Sequence, residues 1–235
     1  MAIEPSTLST TTIFNSYFGL PISLVDDLVW VTPPGGSTSY LFFTSFFCAL
    51  EPGTSLPQLD RPVGLPNGVW RWDPQEKILL PVISRLDIPI PNGIRVSPDQ
   101  KTLYITDSLS TGAGGSGTGD QSYAPTAGPN IYAYDLNEAA LPVNRRLFGL
   151  ARTGYPDGIH VDDAGRVWTA EGEGIVVRGA SGRVLGVFNA AAFGIVASSG
   201  RQIANFALAG DTLFVGAFDS LYSVQLAQAV ALGQC

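Results

Sequence analysis

Pro91-Asn92-Gly93-Ile94-Arg95-Val96-Ser97-Pro98-Asp99 runs through a turn into Thr102-Leu103-Tyr104-Ile105-Thr106-Asp107, and the pattern returns 65 positions later. There Pro156-Asp157-Gly158-Ile159-His160-Val161-Asp162 passes through Asp163-Ala164-Gly165 to Arg166-Val167-Trp168-Thr169-Ala170. Each copy is two short β-rich runs around a turn cluster, which is the signature of a hairpin. Weaker copies flank these. Pro21-Ile22-Ser23-Leu24-Val25 precedes Asp26-Asp27, read as a turn, and then Leu28-Val29-Trp30-Val31. Ala204-Asn205-Phe206-Ala207-Leu208 precedes Gly210-Asp211 and Leu213-Phe214-Val215.

A second kind of hairpin alternates with the first. Val69-Trp70-Arg71-Trp72-Asp73-Pro74 leads to Ile78-Leu79-Leu80-Pro81-Val82, Ile131-Tyr132-Ala133-Tyr134-Asp135 to Arg146-Leu147-Phe148, and Ile175-Val176-Val177 to Val184-Leu185-Gly186-Val187-Phe188. Two successive hairpins make a four-stranded antiparallel unit, and such units in series define an all-β propeller. The chain holds about three and a half blades, the last spanning 203–226 with three runs. A propeller closes with roughly four to eight. The open stack predicts self-association through unpaired blade edges. Residues 1–12 form a polar tail and 13–235 the partial propeller. The Gly/Ser/Thr-rich stretch 110–129 reads as a long loop. The Phe-rich run at 41–50 reads as a core strand, a surface bared by missing blades, or translated non-coding sequence. A short helical turn fits 189–196, and Glu171 and Glu173 around Gly172 read as a solvated turn.

Bulk properties narrow the function classes. The chain has 235 residues, 45% hydrophobic and 14% charged, with a formal charge of −7 and no basic run, which argues against nucleic acid and anionic membrane as partners. The run at 41–50 is half of what a membrane-spanning helix needs, about 20 residues. No signal peptide opens the chain, and localisation stays unassigned. Cys48 and Cys235 are far apart and read as free thiols, and the single His160 excludes a multi-histidine metal site. His160, between Ile159 and Val161, reads as a satisfied strand histidine. No dinucleotide fingerprint, P-loop, zinc motif or nucleophile elbow is present, so no cofactor-binding residues are assigned and hydrolysis would have to be metal-assisted.

In order and approximate spacing, the motifs resemble the SMP-30/gluconolactonase-like family, in particular its fungal lactonohydrolase branch. Leu65-Pro66-Asn67, the Val69 to Pro74 run, Pro91-Asn92-Gly93-Ile94, Ser97-Pro98-Asp99, Lys101-Thr102-Leu103-Tyr104-Ile105-Thr106-Asp107, the Ile131 to Asp135 run, Pro156-Asp157-Gly158-Ile159 and Asn205-Phe206 carry the likeness, which extends from about Phe14 to Leu226. The resemblance implies a six-bladed propeller, here N-terminally incomplete, that hydrolyses a small-molecule lactone. It also implies one divalent cation at the central channel, Ca2+ first, with Zn2+, Mg2+ or Mn2+ as alternatives. Asn92 and Asp157 fall on two of the family's metal ligands, and Asp157 on its candidate for activating water. A hard cation takes oxygen donors of this kind and polarises a carbonyl while acidifying bound water. The prolines fix the entry to each ligand, and Gly93 and Gly158 are expected to let the backbone turn into the strand.

Two departures accompany the likeness. The family's third ligand, a Glu from an early blade, finds no matching motif, Glu4 being the only acidic residue before Asn15. Phe14-Asn15-Ser16 continues as Tyr17-Phe18-Gly19, where the family places a substrate-facing Asn with a neighbouring Asp. Asn205 starts the last partial blade and Asp107 ends a strand, and both are weaker candidates for the channel or substrate. Read locally, Asn92, Asp157 and Asp107 also fit simple turn or capping positions. Beside the lactonase stand a non-catalytic propeller-derived scaffold and a truncated gene model of a longer enzyme.

Overall fold

The computed structural model describes residues 1–22, 25–46, 65–108, 128–195 and 202–230. Two small hairpins open the chain: β1 (Ala2–Ile3) with β2 (Thr10–Thr11), and β3 (Ser16–Tyr17) with β4 (Leu20–Pro21). Four antiparallel sheets follow, each a consecutive meander. Blade one is β5 (Val25–Val31), β6 (Tyr40–Ser45), β7 (Gly68–Asp73) and β8 (Ile78–Ser84). Blade two is β9 (Pro91–Val96), β10 (Thr102–Asp107), β11 (Asn130–Leu136) and β12 (Pro142–Leu150). Blade three is β13 (Ile159–Val161), β14 (Val167–Glu171), β15 (Gly174–Arg178) and β16 (Val184–Asn189). Blade four has three strands, β17 (Asn205–Ala209), β18 (Thr212–Ala217) and β19 (Ser220–Gln225). The result is a four-bladed propeller arrangement in which β5, β9 and β13 lie side by side.

Side-chain alternation builds the core between blades. On β10, Leu103 and Ile105 face blade one and join Val31, Phe42, Ile88 and Ile94, whereas Tyr104 faces blade three. There Tyr104, Ile131 and Ala133 meet Ile159, Val161 and Val167. On β14, Trp168 and Ala170 turn the other way and pack with Phe206, Leu213 and Val215 of blade four. A strand buried on both faces reads as a near-continuous apolar run, as the Tyr40–Phe43 part of β6 does.

One expectation changes. Asp26-Asp27 is not a hairpin turn: Val25–Val31 is one strand, and the aspartates sit at an irregularity in its pairing with β6, between Val25 and Leu28. Their backbone stays extended because it is held from two sides. Asp27 N–H donates to Thr44 Oγ1 (3.1 Å), and Ile94 N–H of blade two donates to Asp27 Oδ2 (3.0 Å). The true partner of this strand is the front of the Phe-rich run, Tyr40–Ser45, whose Phe42 and Phe43 are buried. Residues 47–50 of that run, both cysteines and most of the 110–129 stretch lie outside the described residues. The turn near 189–196 is one 3-10 turn, Ala190–Phe193, capped by the Asn189 side chain.

Candidate metal and lactone site

The register of each inner strand against its neighbour fixes which residues are equivalent. Leu28 faces Phe43, Ile94 faces Ile105, Ile159 faces Thr169 and Phe206 faces Val215. Two residues upstream of each lies one lip of the channel: Asp26, Asn92, Asp157 and Ala204. Three adjacent blades thus present a carboxylate, a carboxamide and a carboxylate at matching positions, and the fourth presents a methyl group. Asp26 thus places an acidic residue at this level on the blade before Asn92, where the sequence motifs had shown none. Its signal was hidden because Asp-Asp before an apolar run reads as a turn.

These groups sense one another. Burial, then the charge of Asp26, push the Asp157 carboxyl up to about 7, while the neighbouring Asn92 side chain pulls it down. Asp26 is open to solvent yet recessed, and burial followed by the Asp27 charge lifts its carboxyl to about 6. Asp27 itself is paired: Arg95 Nη1 lies 2.8 Å from both of its carboxylate oxygens and donates to Ile94 O as well. Asp26 and Asn92 thus both lie near enough to Asp157 to shift its carboxyl, and carboxylate and amide oxygens are donors of the kind a hard divalent cation takes. Among the described residues no group of three or more His, Cys, Asp and Glu side chains is placed to hold a metal ion by itself.

The backbone around the lips is held tightly. Thr44 Oγ1 donates to Asn92 O (2.5 Å), and Thr106 Oγ1 donates to Asp157 O (2.9 Å) while accepting from Gly93 N–H (2.7 Å). Each threonine lies one blade ahead of the lip it secures. The glycines after the lips act differently from expectation. Neither Gly93 nor Gly158 has a positive φ. Instead, a Cβ at Gly93 would lie 2.6 Å from Asp157 O, and one at Gly158 would lie 2.5 Å from Asn205 Oδ1. Close approach of neighbouring blades, not a turn, excludes a side chain there.

The weaker candidates fall beside this group. Asn205 is exposed, lies against Gly158, and its Oδ1 accepts from Phe206 N–H (2.8 Å). It stands one residue past the lip, at the place Asp27 holds in blade one. Asp107 is fully buried, and its Oδ1 accepts from Ile90 N–H (3.1 Å), two residues before Asn92. It supports the Asn92 turn from behind. His160 is buried between blades with Nε2 2.8 Å from Phe206 O. A carbonyl only accepts, so Nε2 carries the proton. Burial, then the Arg95 charge, push the His160 pKa down to about 4.

The fold is a four-bladed β-propeller arrangement, with oxygen-bearing side chains at the starts of three of its inner strands. A profile described as the SMP-30/Gluconolactonase/LRE-like region matches residues 40–211, and the chain belongs to that family. It is 26% identical to a gluconolactonase of Zymomonas mobilis over 96% of this chain and 56% of that one. It is 30% identical to a lactonohydrolase of Aspergillus oryzae over 74% of this chain and 39% of the relative. Among solved structures, a gluconolactonase from Xanthomonas campestris aligns with a TM-score of 0.62 and 21% identity, covering 93% of this chain and 60% of that one. The calcium-binding protein regucalcin from Agrobacterium tumefaciens aligns with a TM-score of 0.62 and 19% identity, covering 97% and 69%. The chain thus spans little more than half the length of the gluconolactonase it matches.

Proposed function

We propose that this chain is the site-bearing part of a metal-dependent lactone hydrolase. It would hold one divalent cation, Ca2+ first, between Asp26, Asn92 and Asp157. The observation that supports the reading is the placement of these three residues at equivalent positions, on or just before the inner strands β5, β9 and β13. Family membership supports a lactonase-type activity, and the regucalcin likeness is consistent with calcium. When bound, the cation supplies carbonyl polarisation and a more acidic water. Asp157 takes the proton as the water oxygen bonds to the lactone carbonyl carbon. The ring C–O bond then breaks, and the leaving alkoxide takes that proton back, giving the hydroxy acid. Asn92, beside the Asp157 carboxyl, offers its amide oxygen to the cation, and Asp26 adds the second negative charge.

Titration with Ca2+ alone by calorimetry, alongside ring opening of glucono-1,5-lactone followed by acid release, tests the reading. Saturable uptake that Asp157→Ala abolishes and Asp26→Asn weakens by at least tenfold is expected. No heat at millimolar Ca2+, Mg2+, Mn2+ or Zn2+ would sink it. A second reading, a non-catalytic cation-binding scaffold, rests on Ala204, which leaves the fourth lip without an oxygen donor. Cation uptake without lactone turnover would favour it.

A further inference from the structure

The turn around Gly172, expected to be solvated, carries the most deeply buried ion pair among the described residues, Glu171 with Arg178. Glu171 is fully buried and Arg178 is 2% exposed. Thr169 Oγ1 donates to Glu171 Oε1 (2.5 Å), Arg178 Nη1 bonds both Glu171 Oε1 and Thr169 Oγ1, and Arg178 Nη2 reaches blade two at Leu150 O (3.1 Å). Space for the guanidinium exists because Gly149 has no side chain: a Cβ there would lie 3.0 Å from Arg178 Nε. Glu171 Oε2 is buried without a hydrogen-bond partner. A buried pair with an orphan oxygen is a poor stability device, since apolar residues of similar volume do as well. What it does provide is fixed geometry.

That geometry bears on one segment, 151–157, which links the end of β12 to Asp157. Arg178 holds its start at Leu150 O. Gly172 N–H donates to Thr153 O (3.0 Å), the Glu173 carboxylate pairs with Arg152, and Gln202 Nε2 donates to Tyr155 O (2.9 Å). Ala170 O, one residue before Glu171, accepts the Asp157 N–H (2.8 Å). The β14–β15 turn thus grips the segment along its length.

We infer that Glu171 and Arg178 are positioning residues for Asp157, acting through the 151–157 segment to place its carboxylate at the lip. The functional part of this inference rests on the metal-site reading above. Because the clasp is a property of the chain without any ion, it can be tested separately. Hydrogen exchange of the metal-free Arg178→Met and Glu171→Gln proteins should show the Asp157 and Gly172 amides exchanging at least tenfold faster, with β17–β18 amides unchanged. Ca2+ affinity should fall at least tenfold in either variant. Against an Asp157→Asn background, Arg178→Met should cost no further affinity. Unaltered exchange at Asp157 and Gly172 would overturn the inference. So would protection lost evenly across blades three and four, or an equal affinity loss in both backgrounds, since each marks a merely structural role. If the segment loosens but the wild-type protein takes up no cation at millimolar concentration, the clasp stands and the metal reading fails instead.

Discussion

Blades one and four each pack one face inward and turn the other away from every other blade, and they treat that outward face differently. On blade one it carries Phe43 and Trp70, too much aromatic surface to leave in water. The segment before β5 covers it. Phe14 stacks on Phe43 (centroids 5.4 Å apart) and leans on Trp72 (5.0 Å), Tyr17 meets Trp70 edge-on (5.1 Å), and Ile22 joins them. Val25, Leu28 and Trp30 of the inner strand stay half open, 47%, 50% and 43% exposed. Blade four has no cover among the described residues. Its β17 alternates exposed and buried along Asn205–Ala209, and its outward rows are Ala207 with Phe214 and Ser223, then Gly216 with Leu221. None of these is charged, and most are small or polar. Both blades use the same two-residue period, so the period alone does not tell an end blade from a middle one. The volume of the outward residues does.

The sharpest contrast lies between the inward and outward faces of blade one. Phe42 is fully buried in the interface with blade two. Phe42→Ala should cost about 3–5 kcal/mol in chemical denaturation, as for other buried phenylalanines. A loss under 1 kcal/mol would mean that blades one and two do not share a core. The joint between blades three and four should instead yield to acid. His160 is held neutral there, with a folded pKa of about 4 against about 6.5 unfolded. Below 6.5 the unfolded chain binds the extra proton, so stability is complete above that pH and falls away toward pH 4. The total is about 3 kcal/mol at the limit. Thermal melts of wild type and His160→Gln between pH 7.5 and 4.5 check this. The wild type should lose more, with exchange protection falling in β17–β19 before β5–β8. Parallel losses in the two proteins would remove His160 from the account.

Much of this arrangement was legible in the sequence, and the gaps have physical causes. The hairpins around Asn92 and Asp157, and the three-stranded last blade, follow from β-branched runs separated by turn residues. The first blade was misread because two signals pointed the wrong way. Asp26-Asp27 has turn chemistry, and only its bonds to Thr44 and to Ile94 N–H of the next blade keep it extended. Tyr40–Ser45 has the composition of a strand buried on both faces, which periodicity cannot assign. The third lip at Asp26 was lost with that strand. Glu171 reads locally as a surface residue because its partner, Arg178, lies on the next strand, and the anchor of that arginine, Leu150 O, lies on another blade. No local pattern encodes such a contact.

The cover on blade one can be weakened directly. Phe14 is half-buried and touches two rings, so Phe14→Ala should cost about 2 kcal/mol, less than a core phenylalanine. It should also increase binding of a hydrophobic dye as Phe43 and Trp72 are bared. No change in dye binding would show that the segment does not shield this face in solution.

The smallest effect is expected on the bare face of blade four, where the open outer edge of β19 gives a second chain something to pair with. We propose that copies associate here, and weakly. Strands spaced about 4.8 Å apart and rising about 3.3 Å per residue make a three-stranded, six-residue face of about 300 Å2 per copy. The total of about 600 Å2 is well under the roughly 1,200 Å2 of a stable interface. Leu221 is 75% exposed, so Leu221→Lys should alter stability by no more than about 0.5 kcal/mol. Its consequence should appear only in sedimentation at high protein concentration, where the added charge on each facing copy returns the chain to a single-copy mass. A wild-type protein that stays single at every concentration would show that water alone covers blade four, and that small, polar outward residues suffice where blade one needs its aromatic cover.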